Sequence, residues 1–495
     1  MKKLLILLIG ASVIATGGCK KYLNEEVKGA LLGNGALSTQ AGLELALTGA
    51  YAGWQVSFGS GFISATGVAA TMGGDDITTH KASNKADFRE FDQFNVSSTN
   101  QRTQQLYTGC YKAIQGANNV IANYKNTQGD AGTITAMAGE AYFIRALSYY
   151  WLVRLYGNIP LITDPNFSDA QLTIKSSPPA DVYALIEADL KQAEIMVPDS
   201  RRNGENGRPN KGTVKAYLAD VYMTEAGWPL KKTADYALAA AKAKEVIDGH
   251  ATWGFTLLPT YTQVWANDPA ANGTAEMVFQ IATFKGGSTT SANYGWTAMP
   301  GEEGGWDDFF SELRFYQQFP AGPRKDATYE TVFTLADGST IPFSQSQTQR
   351  PYYKKYYIYG HYIAGNPISN TYASSVPEIM MRYAYVLTLY AEASARATGT
   401  VDDLAYSSIN AIRDRAGLPE FSGMSATDFE AAVVQERAWE FAAEHVRWFD
   451  LVRLEMVESA NANKDPSDLQ PIGAITKSDY WFPLPLSETS VNPNL

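Results

Sequence analysis

The sequence predicts a mainly α-helical protein of stacked helix pairs, with a long irregular region between them. Several segments place apolar residues at intervals of three and four, and glycine or proline follows most of them. The stretch 249–377 lacks this period and is rich in aromatic residues, glycine, serine and threonine. So long a stretch without regular structure is uncommon in a compact domain. We therefore expect it to form an irregular subdomain with short strands and helices.

Size and charge narrow the classes of partner. The chain has 495 residues, which is enough for two or three units with substantial cores. Its 40 basic and 51 acidic residues give a net charge of −11, and no basic block offsets it. Because binding to a phosphate backbone requires clustered Lys and Arg, we expect no nucleic-acid partner. The 29 tyrosines favour half-exposed binding surfaces, to which an amphipathic ring is suited.

The N-terminus has the order of an export signal. Lys2 and Lys3 precede an apolar stretch that is too short to span a membrane comfortably and that ends in Gly17, Gly18 and Cys19. We interpret residues 1–18 as a signal peptide and residues 19–37 as a tether. Small residues before a cysteine are typical of bacterial lipoprotein signals, in which that cysteine, here Cys19, is acylated. Two acyl chains anchor a protein stably.

The alternative is an ordinary secretory signal with an incidental cysteine. The only other cysteine is Cys110, so the chain has no disulfide framework.

The N-terminal helical region is predicted to cover residues 38–248. Ser38 or Thr39 caps its first helix, Gly157 and Pro160 end its third, and Pro198 ends its fourth. The predicted helices cover residues 38–51, 104–124, 139–156, 181–196, 211–226 and 233–247.

The C-terminal region, 249–495, contains the loop-rich part 249–377 and a helical part 378–453. One strand is predicted at 276–282, and helices are predicted at 378–397, 402–415 and 426–444. The predicted helices 211–226 and 233–247 form a pair, and the predicted helices 378–397 and 402–415 form a similar pair. Such two-helix units of about 34 residues resemble tetratricopeptide repeats, the alternative being unrelated helical hairpins.

A run of charges near the end of the chain surrounds His445 and could suggest a catalytic cluster. We instead expect a structural ladder of ion pairs on one helix face, because the charges follow steps of three and four. The charged residues are Arg437, Glu440, Glu444, Arg447, Asp450 and Arg453.

The sequence contains few motifs that are typical of enzymes. The four histidines have no metal-ligand spacing, and the sequence has no nucleophile elbow, phosphate-binding glycine loop or dinucleotide fingerprint. We therefore predict a protein that is not an enzyme, with no cofactor and no metal. A glycoside hydrolase stays an alternative, because its two carboxylates are defined by a separation in space of roughly 5 to 10 Å.

Aromatic residues in the glycine-rich loops are the best candidates for ligand binding. Tyr294, Trp296 and Trp306 lie among glycines, and Asp307 follows directly. Flat rings stack on the apolar faces of sugars while carboxylates accept hydroxyl protons. The alternative is that these rings cover the core under long loops.

A second candidate is the loop 73–79, with Asp75 and Asp76, because binding groups concentrate on loops.

Several ordered segments resemble signatures of the SusD/RagB family, surface-exposed outer-membrane lipoproteins of Bacteroidetes that bind nutrients. The match spans nearly the whole mature chain. The segments are 139–147 with 152–162, 211–216, 390–393, 409–419, 436–453, and 482–485 with 492–494.

This resemblance implies a SusD-like fold: tetratricopeptide-like helix pairs carrying a loop-rich ligand-binding region. It also implies a partner, a SusC-like TonB-dependent outer-membrane barrel, to which the lipid-anchored protein passes captured oligosaccharide such as starch. Relatives of RagB handle peptides, so peptide capture is the alternative ligand class. Ligand residues vary within the family, so the resemblance assigns none of the candidate site residues.

Overall fold

The computed structural model describes residues 33–54, 65–166, 168–265, 274–281, 297–356 and 377–495. The helices of this part are α1 Gln40–Trp54, α2 Ala65–Ala69, α3 Ala86–Asp92, α4 Gln101–Asn123, α5 Ala131–Tyr156, α6 Pro179–Met196, α7 Lys211–Glu225, α8 Asp235–Asp248, α9 Leu313–Gln318, α10 Pro323–Thr328, α11 Tyr383–Thr398, α12 Asp403–Arg415, α13 Ala426–Glu440, α14 Arg447–Arg453, α15 Val457–Asn461 and α16 Leu486–Thr489. The strands are β1 Ile77–Thr78, β2 Met277–Ile281, β3 Phe310–Ser311, β4 Tyr329–Glu330, β5 Val332–Thr334, β6 Thr340–Pro342, β7 Tyr352–Tyr353 and β8 Glu378–Arg382.

The long helices stack in chain order. Each helix from α4 to α8 packs on the next, α8 packs on α11, and α11 packs on α12 and α13. The pair α7/α8 therefore meets the pair α11/α12 directly, although the loop-rich part separates them in sequence. The predicted mainly α fold of stacked helix pairs is confirmed.

Helix α5 is the centre of the stack and is buried along most of its length. It begins earlier than predicted because the Asp130 side chain caps it, accepting the Thr133 N–H at 2.7 Å. The alanines, glycine and threonines of its first turns carry little periodic signal. It ends at Gly157, whose φ of +67° lies in the region that favours glycine.

Four two-stranded antiparallel sheets occur in the described ranges, pairing β1 with β3, β2 with β8, β4 with β7, and β5 with β6. Strand β2 confirms the predicted strand. The predicted helix 378–397 is wrong at its start, where β8 pairs with β2 and places Arg382 opposite Met277. The buried side chains of Ile379 and Met381 favour the strand, because a distant partner covers them.

The predicted ladder of ion pairs on one helix face is also wrong. Helix α13 ends at Glu440, and positive φ values at Ala443 and His445 turn the chain before α14 begins. The charged groups are buried instead and pair mainly with charges on other elements. The His445 ring pairs with Glu378, with 2.5 Å between Nε2 and Oε1.

Arg382 is the centre of this buried charge network and is 1% exposed. Its Nη1 lies 2.8 Å from Glu276 and 2.6 Å from Glu440, and its Nε lies 2.7 Å from Glu444. Arg415 joins the same carboxylates, with 2.6 Å to Glu276 and 2.6 Å to Glu440. The network therefore links the loop-rich part to the helix stack.

Among the described residues, none of the helices combines the length and the apolar character that crossing a membrane requires.

Candidate functional site

A cavity of about 370 Å³ opens where β1 and β3 meet two loops from later in the chain. We call it the β1–β3 cavity. Its lining residues come from four separate segments. They are Thr78, Thr79, His80, Lys81, Phe310, Gln347, Thr348, Gln349, Arg350, Ser467, Asp468 and Leu469.

Hydrogen bonds between these segments fix the walls of the cavity. Lys81 Nζ donates to the Ser467 carbonyl at 2.8 Å. Arg350 Nε lies 2.7 Å from an Asp468 carboxylate oxygen, and the other Asp468 oxygen accepts the Leu313 N–H at 3.1 Å. A site whose walls are already held needs little ordering when a ligand binds.

Several polar groups of the cavity are available to a ligand. His80 Nδ1 accepts the Ala82 N–H at 2.8 Å, so the neutral ring carries its proton on Nε2 and can donate it. The side-chain amides of Gln347 and Gln349 are exposed and make no hydrogen bond within the described part of the chain. Phe310 adds an apolar wall. Such a set can bind a ring with peripheral hydroxyl groups.

The loop that carries Trp306 and Asp307 adjoins this cavity. Asp307 Oδ1 accepts the Tyr352 hydroxyl at 2.5 Å and the Gly301 N–H at 2.7 Å. The Tyr352 hydroxyl also lies 3.2 Å from Oγ1 of Thr348, which lines the cavity. Burial raises the pKa of Asp307, although the Tyr352 hydrogen bond opposes the shift. Trp306 is half-buried on the same loop.

Asp75 and Asp76 have a different environment. Asp75 pairs with Arg447, one of its oxygens lying 2.8 Å from Nη2. Asp76 is 2% exposed and accepts the Ala443 N–H at 2.9 Å. Asp75 thus holds the loop against the start of α14 and Asp76 holds it against the preceding turn, and neither carboxylate lines the β1–β3 cavity. The site that we consider below includes Trp306 and Asp307 and leaves out this pair.

Tyr294, Trp296 and Cys19 lie outside the described residues, so their roles stay predictions. Sequence reasoning missed most of the lining, because threonines and glutamines in loops without a period carry no signal of their own. The one available signal was the loop 73–79, whose last two residues, Thr78 and Thr79, do line the cavity.

Asp76 provides a prediction about pH. Burial raises its pKa to about 6, and its Oδ1 has no hydrogen-bond partner in the described chain. The pKa exceeds its ordinary value, so folding favours the protonated form and stability rises as the pH falls through 6. From pH 7 to pH 5 this group adds about 1 kcal/mol to the free energy of unfolding. Asp76→Asn should lack this gain, as measured by urea denaturation at both pH values.

The comparison with wild type isolates this one group. Burial also raises the pKa of Glu225 and of Glu303 to about 7, but both residues titrate in either protein. An equal pH dependence in the two proteins would contradict the assignment.

Two family models match the chain. The model described as "SusD family" matches residues 191–495, and the one described as "Starch-binding associating with outer membrane" matches residues 22–223.

Several known proteins are similar to this chain over nearly its full length. "SusD-like protein P2" of Formosa agariphila is 31% identical, over 97% of this chain and 95% of the relative. The solved structure of a SusD superfamily protein from Parabacteroides distasonis has a TM-score of 0.80 and 24% identity, covering 92% of this chain and 98% of that one. Surface glycan-binding protein A from Bacteroides uniformis has a TM-score of 0.77 and 20% identity, covering 92% and 99%. The two structures share the fold with this chain.

Proposed function

This chain belongs to the SusD family, and we propose that it is a cell-surface lipoprotein that binds a glycan at the β1–β3 cavity. In this proposal it captures oligosaccharide outside the outer membrane and passes it to a SusC-like TonB-dependent barrel. The observation that carries the proposal is a set of donors and acceptors with no partner among the described residues, His80 Nε2 and the side-chain amides of Gln347 and Gln349, beside the wall formed by Phe310. A solved structure with the same fold is named a surface glycan-binding protein.

The arrangement favours binding over hydrolysis. Glycoside hydrolysis needs two carboxyl groups that flank the scissile bond. Among the described residues that line the cavity, Asp468 is the only one with a carboxylate, and its two oxygens are engaged by Arg350 and Leu313. The neighbouring Asp307 carboxylate is held by the Tyr352 hydroxyl and the Gly301 N–H. We therefore propose a binder that leaves its ligand unchanged. Incubation of the purified protein with glycans should give no products at long times.

The lipid at Cys19 would hold the protein beside its transporter. Tethering raises the effective concentration of one partner near the other, so modest affinity for the glycan suffices. Labelling with palmitate should mark the wild-type protein and leave Cys19→Ser unmarked. Purification of the labelled protein from outer membranes should recover a TonB-dependent barrel. An unlabelled wild type would contradict the anchor.

The ligand class is tested on the soluble form that lacks residues 1–19. A glycan microarray should show binding to at least one oligosaccharide, whereas a peptide library should show none. Binding to peptides with no binding to glycans would contradict the glycan ligand and would support peptide capture.

Substitutions at the site should weaken glycan binding without unfolding the protein. We expect Gln347→Ala, Trp296→Ala and Trp306→Ala each to reduce affinity about tenfold, because each removes a hydroxyl partner or a stacking ring. The melting temperature should stay nearly unchanged. Calorimetry on these variants is the measurement.

The matched control is Trp253→Ala, which removes another half-buried tryptophan that lines none of the described cavities. Full affinity in all three site variants would refute the site.

A further inference from the structure

A second cavity, of about 480 Å³, lies between the turn after α3 and the segment before α16. We call it the aromatic cavity. We propose that it is a second sugar subsite, which takes an uncharged pyranose ring of the same glycan; the inference rests on the function proposed above. Six aromatic residues line the aromatic cavity: Phe91, Phe94, Tyr156, Trp448, Trp481 and Phe482.

The rings offer both a floor and accessible faces. Trp448 and Phe482 are buried and nearly parallel, with 10° between their planes and 6.4 Å between their centroids. The Phe94 ring lies 6.2 Å from Trp448. Phe94 and Trp481 are half-buried, so part of each ring stays accessible. A sugar ring, with its apolar C–H faces, packs on surfaces of this kind.

The accessible rings are held in place by their surroundings. Phe94 has a φ of +55°, which is rare for a bulky residue, and its N–H donates to the Phe91 carbonyl at 3.2 Å. Strained residues of this kind concentrate at ligand sites. Trp481 packs against Trp228 with 4.6 Å between centroids. It also lies so close to Gly157 that a Cβ there would come within 2.7 Å of its ring.

Polar groups accompany the rings. Trp448 Nε1 is a buried donor with no hydrogen-bond partner in the described chain. Asn95 is exposed, and its side-chain amide makes no hydrogen bond in the described ranges. Asp479 is the only charged residue among the lining residues, and one of its oxygens accepts the Thr476 N–H at 2.7 Å. Since sulfate and uronate groups are normally paired with Arg or Lys, the lining favours an uncharged sugar.

The two cavities lie within reach of one oligosaccharide. Leu469 lines the β1–β3 cavity, and three residues later the Ile472 N–H donates to the Gln93 carbonyl at 2.9 Å. Gln93 directly precedes Phe94 of the aromatic cavity. Three residues span at most about 10 Å. The walls of the two cavities are therefore separated by a distance that an oligosaccharide of several rings can span.

The test is isothermal titration calorimetry of the soluble form, residues 20–495, with maltohexaose, laminarihexaose and cellohexaose. A hexasaccharide that binds wild type should bind Trp481→Ala about tenfold more weakly and Asn95→Ala several-fold more weakly. Trp253→Ala is again the matched control and should bind like wild type. A crystal soaked with the same hexasaccharide should show a sugar ring beside Trp481.

The outcomes separate this inference from the proposed function. If Gln347→Ala weakens binding but Trp481→Ala and Asn95→Ala do not, the second subsite is refuted and the first stands. If only the aromatic-cavity variants weaken binding, the aromatic cavity is a sugar site and the β1–β3 cavity is not. If Trp481→Ala alone loses affinity and its melting temperature is also lower, the result counts against the subsite. Failure of all three hexasaccharides to bind wild type also counts against it.

Discussion

Replacing Glu440 with alanine is expected to lower the free energy of unfolding by about 3–5 kcal/mol, because it removes a buried carboxylate that three buried arginines share and leaves their positive charge only partly compensated. The Glu440 carboxylate is fully buried and is shared by Arg382, Arg415 and Arg324, at 2.6, 2.6 and 3.0 Å. Burial alone would raise the pKa of Glu440, but the three guanidinium groups hold it well below its usual range. The Glu440 carboxylate is therefore charged at neutral pH.

Urea denaturation of the soluble form at pH 7.5 measures the effect of this substitution. The matched control is Asp248→Ala, which removes an exposed carboxylate 2.6 Å from Lys244 on α8. Exposed pairs of this kind contribute little, so the control should change stability by less than about 0.5 kcal/mol. A loss below about 1 kcal/mol in Glu440→Ala would mean that the arginines find other partners or water, and that the network does not hold the loop-rich part to the stack.

Helices whose ends are marked by local chemistry could be predicted from the sequence. Helix α12 begins after Asp402, whose side chain accepts the Ala405 N–H at 2.7 Å, and the preceding helix ends at Gly399 with a φ of +68°. Both signals lie within a few residues of the boundary that they set, so a single pass along the chain finds them.

Structure that depends on distant partners could not be predicted in this way. Residues 379–381 carry apolar side chains that suit a helix or a strand, and pairing with β2, about 100 residues earlier, selects the strand. The charges around Glu440 follow helical spacing, yet their partners Arg382 and Arg324 lie on other elements. Periodicity reports which residues share a face only where the helix continues.

The candidate site shows the same limit. The β1–β3 cavity joins Thr79, Gln347 and Ser467, which come from three loops with no motif in common. The sequence predicts Trp306 and Asp307 as ligand residues because rings and glycines coincide there, which is a local signal. Asp75 and Asp76 gave a similar signal, but their partners Arg447 and Ala443 are far along the chain and turn both carboxylates into supports for the loop.

Lys464→Met is also expected to lower the free energy of unfolding strongly. Its effect tests whether the buried charges around Lys464 support the wall of the β1–β3 cavity. Lys464 is almost fully buried and forms ion pairs with Asp92 and with Glu312, the latter at 2.6 Å. Asp92 in turn accepts the hydroxyl of Thr78, a lining residue, at 2.7 Å. Without the ammonium group, two buried carboxylates have no cation, and we expect a loss of about 3–5 kcal/mol at pH 7.5.

The pH dependence of this loss identifies its cause. Burial already raises the pKa of Asp92 and of Glu312 in the presence of Lys464, and removal of the cation raises both further. When folding raises the pKa of a group, the free energy of unfolding increases as the pH falls through that raised pKa. The difference between Lys464→Met and wild type should therefore shrink between pH 7.5 and pH 5.

The triple variant Lys464→Met, Asp92→Asn, Glu312→Gln removes all three charges and should recover most of the lost stability at pH 7.5. It keeps an oxygen at residue 92 for the Thr78 hydroxyl, so we expect this variant to bind glycan like wild type. A loss that is the same at both pH values and persists in the triple variant would assign the effect to packing of the lysine side chain. In that case Lys464 would stabilise the protein through the packing of its side chain and not through its charge pairs with Asp92 and Glu312.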